Sequence, residues 1–119
     1  MVVDLRQDQD LEQLLERSKT DPVFIFKHSM SCGISAQAYE EFTNFTEGLP
    51  DLYCGVVEVV ENRKLSNAIA ERFGVRHESP QALLIKDGRI VWQASHWSIT
   101  SDSLSDALKS YAQPSHQRN

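Results

Sequence analysis

Apolar and polar positions change period several times along the chain, and each change marks an element. Leu11, Leu14 and Leu15 recur at helical spacing and predict a helix over 10–19. Asp10 stands where an N-cap belongs, Gln13 completes a capping box, and Asp21-Pro22 ends the helix. Val23 to Phe26 is then continuously apolar and rich in β-formers, the pattern of a central strand buried on both faces. From Cys32 to Glu47 the period is helical again, with Ile34, Ala38, Phe42 and Phe45 on one side and Gly48 and Pro50 as the stop.

Leu52 to Val60 reads as a second strand. Asn62 is placed to cap a helix from Arg63 to Phe73, with Leu65, Ile69 and Phe73 inward and Gly74 closing it. Ala82 to Lys86 and Arg89 to Ala94 flank Asp87-Gly88, a strong two-residue hairpin signal. Thr100 or Ser101 starts a last helix, with Leu104, Ala107, Leu108 and Tyr111 inward. The string is α-β-α-β-α-β-β-α. A strand–helix–strand unit followed by a hairpin makes an α/β fold: one mixed four-stranded sheet, helices on both faces, and an extra N-terminal helix.

Composition narrows the picture. A chain of 119 residues and 13.5 kDa fits one domain, here 1–112, with a polar tail over 113–119. A net charge of −5, a pI near 5.3 and the lack of a basic run leave no nucleic-acid footprint. No stretch approaches the ~20 apolar residues of a membrane span. Met1 to Arg6 lacks the basic start and apolar core of a secretory signal, so a cytoplasmic location is the expectation. In a reducing compartment, two cysteines are more often reactive or buried than paired.

Cys32 is the residue that can carry chemistry. It opens a helix directly after an apolar strand, where the macrodipole and unpaired N–H groups favour a thiolate. The thiolate is the attacking form in disulfide exchange. Lys27 and His28 precede it, and no acid lies between Asp21 and Glu40. These two are candidates to bind an anionic small thiol or to lower the Cys32 pKa, against the alternative of plain solvated charges. Cys32-Gly33-Ile34-Ser35 has a serine where a resolving cysteine would stand, so an outside thiol must resolve any mixed disulfide. The ordinary role for Ser35 is a bond to backbone in the first helical turn. Cys54 belongs near the start of a strand parallel to the first, a sheet length from Cys32, and a disulfide needs Cα atoms within about 7 Å. It is read as structural.

Ser79-Pro80 precedes a strand antiparallel to the first, which brings it beside Cys32 and suggests a cis bond facing a cysteinyl substrate. Ser95-His96-Trp97 ends the strand that runs back from the hairpin, so His96 and Trp97 return to the same edge as candidates for a thiol-binding groove. Thr100-Ser101-Asp102 either caps the last helix or holds a substrate carboxylate. His77 and His116 have no metal spacing with either cysteine, and no metal site is expected.

The chain resembles the YtxJ-like monothiol bacilliredoxins. The resemblance rests on Phe26-Lys27-His28-Ser29 with Cys32 and Ser35-Ala36, then Tyr39 and Phe42. It continues through Ser66-Asn67, His77-Glu78-Ser79-Pro80-Gln81, Asp87-Gly88, and Ser95-His96-Trp97 with Ile99-Thr100. It runs from about Leu11 to Leu108. It implies a thioredoxin-like fold and the removal of bacillithiol from mixed disulfides on cytosolic proteins. Cys32 would attack, and Ser79-Pro80 would line the substrate groove. Bacillithiol, or glutathione, would be a co-substrate, with no cofactor tightly bound.

One position departs. The family pattern is Thr-Cys-Pro-Ile, and here Ser31-Cys32-Gly33-Ile34 stands instead. Cys-Gly-Ile-Ser is similar to the Cys-Gly-Phe-Ser of monothiol glutaredoxins, which use glutathione and share a 2Fe–2S cluster across a dimer. Three functions therefore stay open: a monothiol redoxin, a cluster carrier, and a binding module that keeps the fold without turnover.

Overall fold

A computed structural model describes residues 1–111; the expected tail over 113–119 lies outside the described residues. The elements run β1 (Val2–Asp4), α1 (Asp8–Arg17), β2 (Val23–His28), α2 (Gly33–Glu47), β3 (Cys54–Glu58) and α3 (Arg63–Phe73). They continue with β4 (Gln81–Lys86), β5 (Arg89–Ser95), a 3-10 turn at His96–Ser98, and α4 (Ser101–Tyr111). The strands order as β1-β3-β2-β4-β5. β3 is parallel to both β1 and β2, whereas β4 is antiparallel to β2 and β5.

The sheet thus has five strands, not four. Val2–Asp4 is too short and too polar to show a period. It is held by the free edge of β3: Cys54 N–H donates to the Met1 carbonyl at 2.9 Å, and Leu5 N–H to that of Val56 at 2.8 Å. The Met1 ammonium donates to the Pro50 and Leu52 carbonyls at 2.7 and 2.6 Å. Pairing on an existing strand makes this element, and no pattern of its own announces it.

Alternation along β2 divides the core. Phe24 and Phe26 face α2 and α4, where Phe26 stacks on Phe42 at 4.6 Å and Phe24 meets Phe45 edge-on at 5.5 Å. Val23 and Ile25 face α1 and α3, among Leu11, Leu14, Leu65 and Ile69. Helices therefore cover both faces, as the pattern predicts.

Three local expectations need correction. The first helix begins at Asp8, not Asp10, because the Asp10 Oδ2 atom accepts the backbone N–H groups of Arg6 and Gln7 at 2.8 and 3.1 Å from inside the first turn. Asn62 stands at the α3 N-cap, yet its amide donates back to the Glu58 carbonyl at 3.1 Å and caps nothing. Tyr111, expected inward, is exposed at the end of α4. The Asp87-Gly88 hairpin is as expected, with φ positive at both residues. Its tip is tied to α1, since Ser18 accepts from Asp87 N–H at 2.7 Å and from Gly88 N–H at 3.0 Å.

Gly55 in β3 marks a close approach. A Cβ there would come within 2.6 Å of Leu5 Cδ1 and 2.7 Å of Leu14 Cδ1, and both leucines are buried. Gly55→Ala is expected to destabilise the fold by about 1–3 kcal/mol through overpacking. An unchanged urea midpoint would contradict this.

Candidate active site

Cys32 occupies the N-cap of α2 in extended conformation, and its carbonyl accepts the first helical bond from Ala36 N–H at 3.1 Å. The thiol is half-buried. Its pKa is lowered from the ordinary thiol value, first by the backbone N–H of Ser35 and then by that of Ile34. Burial opposes this, and the Ser35 hydroxyl adds to it. The lowering comes from hydrogen bonding at the open end of a helix; neither Lys27 nor His28 contributes.

Ser35 is fully buried, and its Oγ accepts the backbone N–H of Ser29 at 3.0 Å. The hydroxyl proton is thereby free to point at the sulfur. One serine fixes the loop ahead of the thiol and, through its hydroxyl, adds to the lowering of the thiol pKa. Ser35→Ala is expected to raise the Cys32 pKa and slow its alkylation at neutral pH several-fold. The pH-rate profile for iodoacetamide checks this, and a superimposable profile in the variant would refute it.

Cys54 lies at the opposite end of the sheet. It pairs with Phe24 at the start of β2, whereas Cys32 follows the end of that strand. It is fully buried, and burial pushes its pKa up to about 12. Both cysteines are free.

Register places the other candidates. Lys27 pairs with Gln81, and Gln81 with Ser95, so Pro80 and His96 stand at the Cys32 end of their strands. The Ser79-Pro80 bond is cis. His96 N–H donates to the Pro80 carbonyl at 3.0 Å, and the His96 ring lies 3.6 Å from Glu78. Trp97 is 67% exposed, and its turn packs against α2. Gly33 is open: a Cβ there would meet nothing within 4 Å, so packing does not demand glycine beside the thiol.

The structure does not bring Lys27 to the thiol. Lys27 is fully buried on the α3 side of β2, and its ammonium donates to the Ser66 carbonyl at 3.2 Å and reaches His77 Nδ1 at 2.9 Å. Burial lowers its pKa to about 8. His28 points to the other face, where its ring stacks on Phe26 at 5.7 Å and tilts against Tyr39 at 4.9 Å. Burial lowers its pKa, with Glu58 and then Asp4 opposing.

At the start of α4, capping is what the structure contains. Thr100 Oγ1 accepts from Ser103 N–H and Ser103 Oγ from Thr100 N–H, both at 3.0 Å. Ser101 N–H is taken by the Glu41 carboxylate of α2 at 2.7 Å, so a side chain of this chain already occupies the place of a substrate carboxylate. The described residues hold no cluster of three or more His, Cys, Asp or Glu fit for a metal ion. No described helix is long and apolar enough to cross a membrane.

Glu58 was not visible as a site residue. Its carboxylate accepts Met30 N–H at 2.9 Å and Glu61 N–H at 2.8 Å, fixing the loop before Cys32. Only the register of β2 with β3, which pairs His28 with Glu58, brings it there.

The model of the monothiol bacilliredoxin BrxC matches residues 3–104. The chain belongs to the monothiol bacilliredoxin family. A solved protein described as a candidate oxidoreductase with a thioredoxin fold is 37% identical, with a TM-score of 0.81 over 89% of this chain and 92% of that one. Thioredoxin from Fasciola hepatica is 22% identical, with a TM-score of 0.73 over 93% and 99%. Thioredoxin NaTrxh from Nicotiana alata is 18% identical, with a TM-score of 0.74 over 94% and 93%. These last two speak for the fold alone. The bacilliredoxin family and the thioredoxin fold are therefore both features of this chain, and the family is one of thiol oxidoreductases.

Proposed function

We propose that the protein is a monothiol thiol–disulfide oxidoreductase that removes a low-molecular-weight thiol, bacillithiol, from cytoplasmic proteins. The observation that carries the reading is a single activated thiol with no internal partner. Cys32 has a lowered pKa at the α2 N-cap, Ser35 holds the resolving position, and Cys54 is at the far end of the sheet.

The Cys32 thiolate attacks the small thiol's sulfur in a protein mixed disulfide. A new S–S bond forms on Cys32 as the old one breaks. The protein sulfur leaves with the electron pair and takes a proton from solvent. A second small thiol, as its thiolate, attacks the adduct and frees Cys32, giving the symmetric small disulfide. Ser79, Pro80, His96 and Trp97 line one side of the approach, with Gly33 beside the sulfur.

The test is intact mass after mixing the protein with bacillithiol disulfide and, separately, with glutathione disulfide. One bacillithiol per chain, on Cys32, is the expected result. A faster glutathione adduct would move the reading to the glutaredoxins. No adduct from either would overturn it.

A further inference from the structure

Buried polar side chains gather under one loop. Lys27 and Gln81 are register partners on β2 and β4, so their side chains share the α3 face of the sheet, and both are fully buried. The Lys27 ammonium also reaches the carbonyl of Ser66, a buried serine of α3, at 3.2 Å. Above them runs the segment from Val75 to Pro80 that links α3 to β4 and ends at Ser79-Pro80.

Backbone bonds do not hold this segment. Among the described residues, no backbone group from Arg76 to Ser79 bonds to another backbone group. The two buried side chains tie it down instead. Lys27 Nζ reaches His77 Nδ1 at 2.9 Å, and Gln81 Nε2 donates to the Arg76 carbonyl at 3.0 Å. Glu78 lies 3.6 Å from both Arg76 and His96, and such long, wet contacts contribute little.

These ties are poor choices for stability. Among the described residues no carboxylate pairs with the buried ammonium. Ser79 Oγ and Gln81 Oε1 are the two buried side-chain polar atoms that lack a hydrogen-bond partner there, and their residues flank Pro80. Apolar side chains at 27 and 81 would fill the same space with no charge and no orphaned acceptor. Local rules broken together at one place mark a functional demand.

We infer that Lys27 and Gln81 are positioning residues: from beneath the α3–β4 segment they hold Ser79-Pro80 in place against the protein half of the mixed disulfide. The inference rests on the redoxin reading. Lys27 acts through His77, and Gln81 through the Arg76 carbonyl; neither is needed for attack by Cys32. Loosening the segment therefore weakens the hold on the protein half and spares the chemistry at sulfur.

The test uses the full chain and a cysteine peptide held as its mixed disulfide with bacillithiol, turned over with excess bacillithiol. Lys27→Met and His77→Leu are each expected to raise KM for the peptide several-fold, with kcat and the iodoacetamide rate of Cys32 unchanged. The double variant is expected to match either single one, because both remove the same tie. Gln81→Met removes the other tie and is expected to raise KM by itself. Wild-type KM in Lys27→Met and Gln81→Met would overturn the inference. So would a fall in the iodoacetamide rate parallel to the loss of turnover, since the thiol loop itself would then have moved. Additive effects of Lys27→Met and His77→Leu would overturn the route through His77. Wild-type protein that alkylates at Cys32 but leaves the peptide disulfide intact would overturn the redoxin reading, and this inference with it.

Discussion

Cys32→Ser is expected to reduce disulfide exchange to the uncatalysed background while leaving the fold intact. Serine fits the N-cap of α2 at least as well as cysteine, because its oxygen accepts first-turn N–H groups. Stability should hold or rise. Chemistry should vanish, because the same N–H groups that lower the thiol pKa cannot make a serine alkoxide at neutral pH. Cys54 cannot substitute, being fully buried with a pKa pushed up to about 12. Intact-mass analysis of the variant with bacillithiol disulfide should find no adduct. An adduct surviving on Cys54 would mean that the sheet opens at its far end, contrary to the site described above. The mirror variant, Cys54→Ala, should keep its adduct on Cys32.

Much of this site was legible because it depends on local signals. A continuous apolar run, a cysteine at a helix start and an Asp-Gly turn each announce their own structure, and the topology they imply brings Pro80 and His96 to the Cys32 end of the sheet. Three features were hidden, for a common reason. β1 exists because β3 has a free edge, Glu58 reaches the thiol loop through strand register, and Lys27 is buried although lysine reads as surface. The apolar run ends at Phe26, yet β2 continues through Lys27 and His28, so two polar side chains enter the interior on opposite faces of one strand. Non-local pairing decides each case. The same alternation explains why neither residue is the cationic neighbour that the sequence suggested for Cys32. One is committed to α3, and the other to the rings of Phe26 and Tyr39.

Lys27 leads to the second large effect. Its ammonium has a carbonyl and an imidazole for partners, and no carboxylate pairs with it among the described residues. His77 Nδ1 must accept this bond, so His77 stays neutral; its own pKa is lowered by burial and then by Lys27. A buried cation without a counter-ion is costly. The folded protein releases the Lys27 proton near pH 8, whereas the unfolded chain keeps it to 10.5. Between these values the unfolded state binds more protons, so stability rises with pH across that window. Below pH 8 the whole cost is present, on the order of 3 kcal/mol. Lys27→Met keeps most of the stem and removes the charge. It is expected to stabilise the fold at pH 7 by about 1–3 kcal/mol, less than the whole cost because His77 and the Ser66 carbonyl lose a donor. The gain should shrink as the pH approaches 10.5, where wild type no longer carries the charge. Urea unfolding of both proteins from pH 6 to 10 measures this. A variant that is destabilised by the same amount at every pH would mean that the Lys27–His77 bond outweighs the buried charge, and the assignment of Lys27 as a costly buried cation would fall.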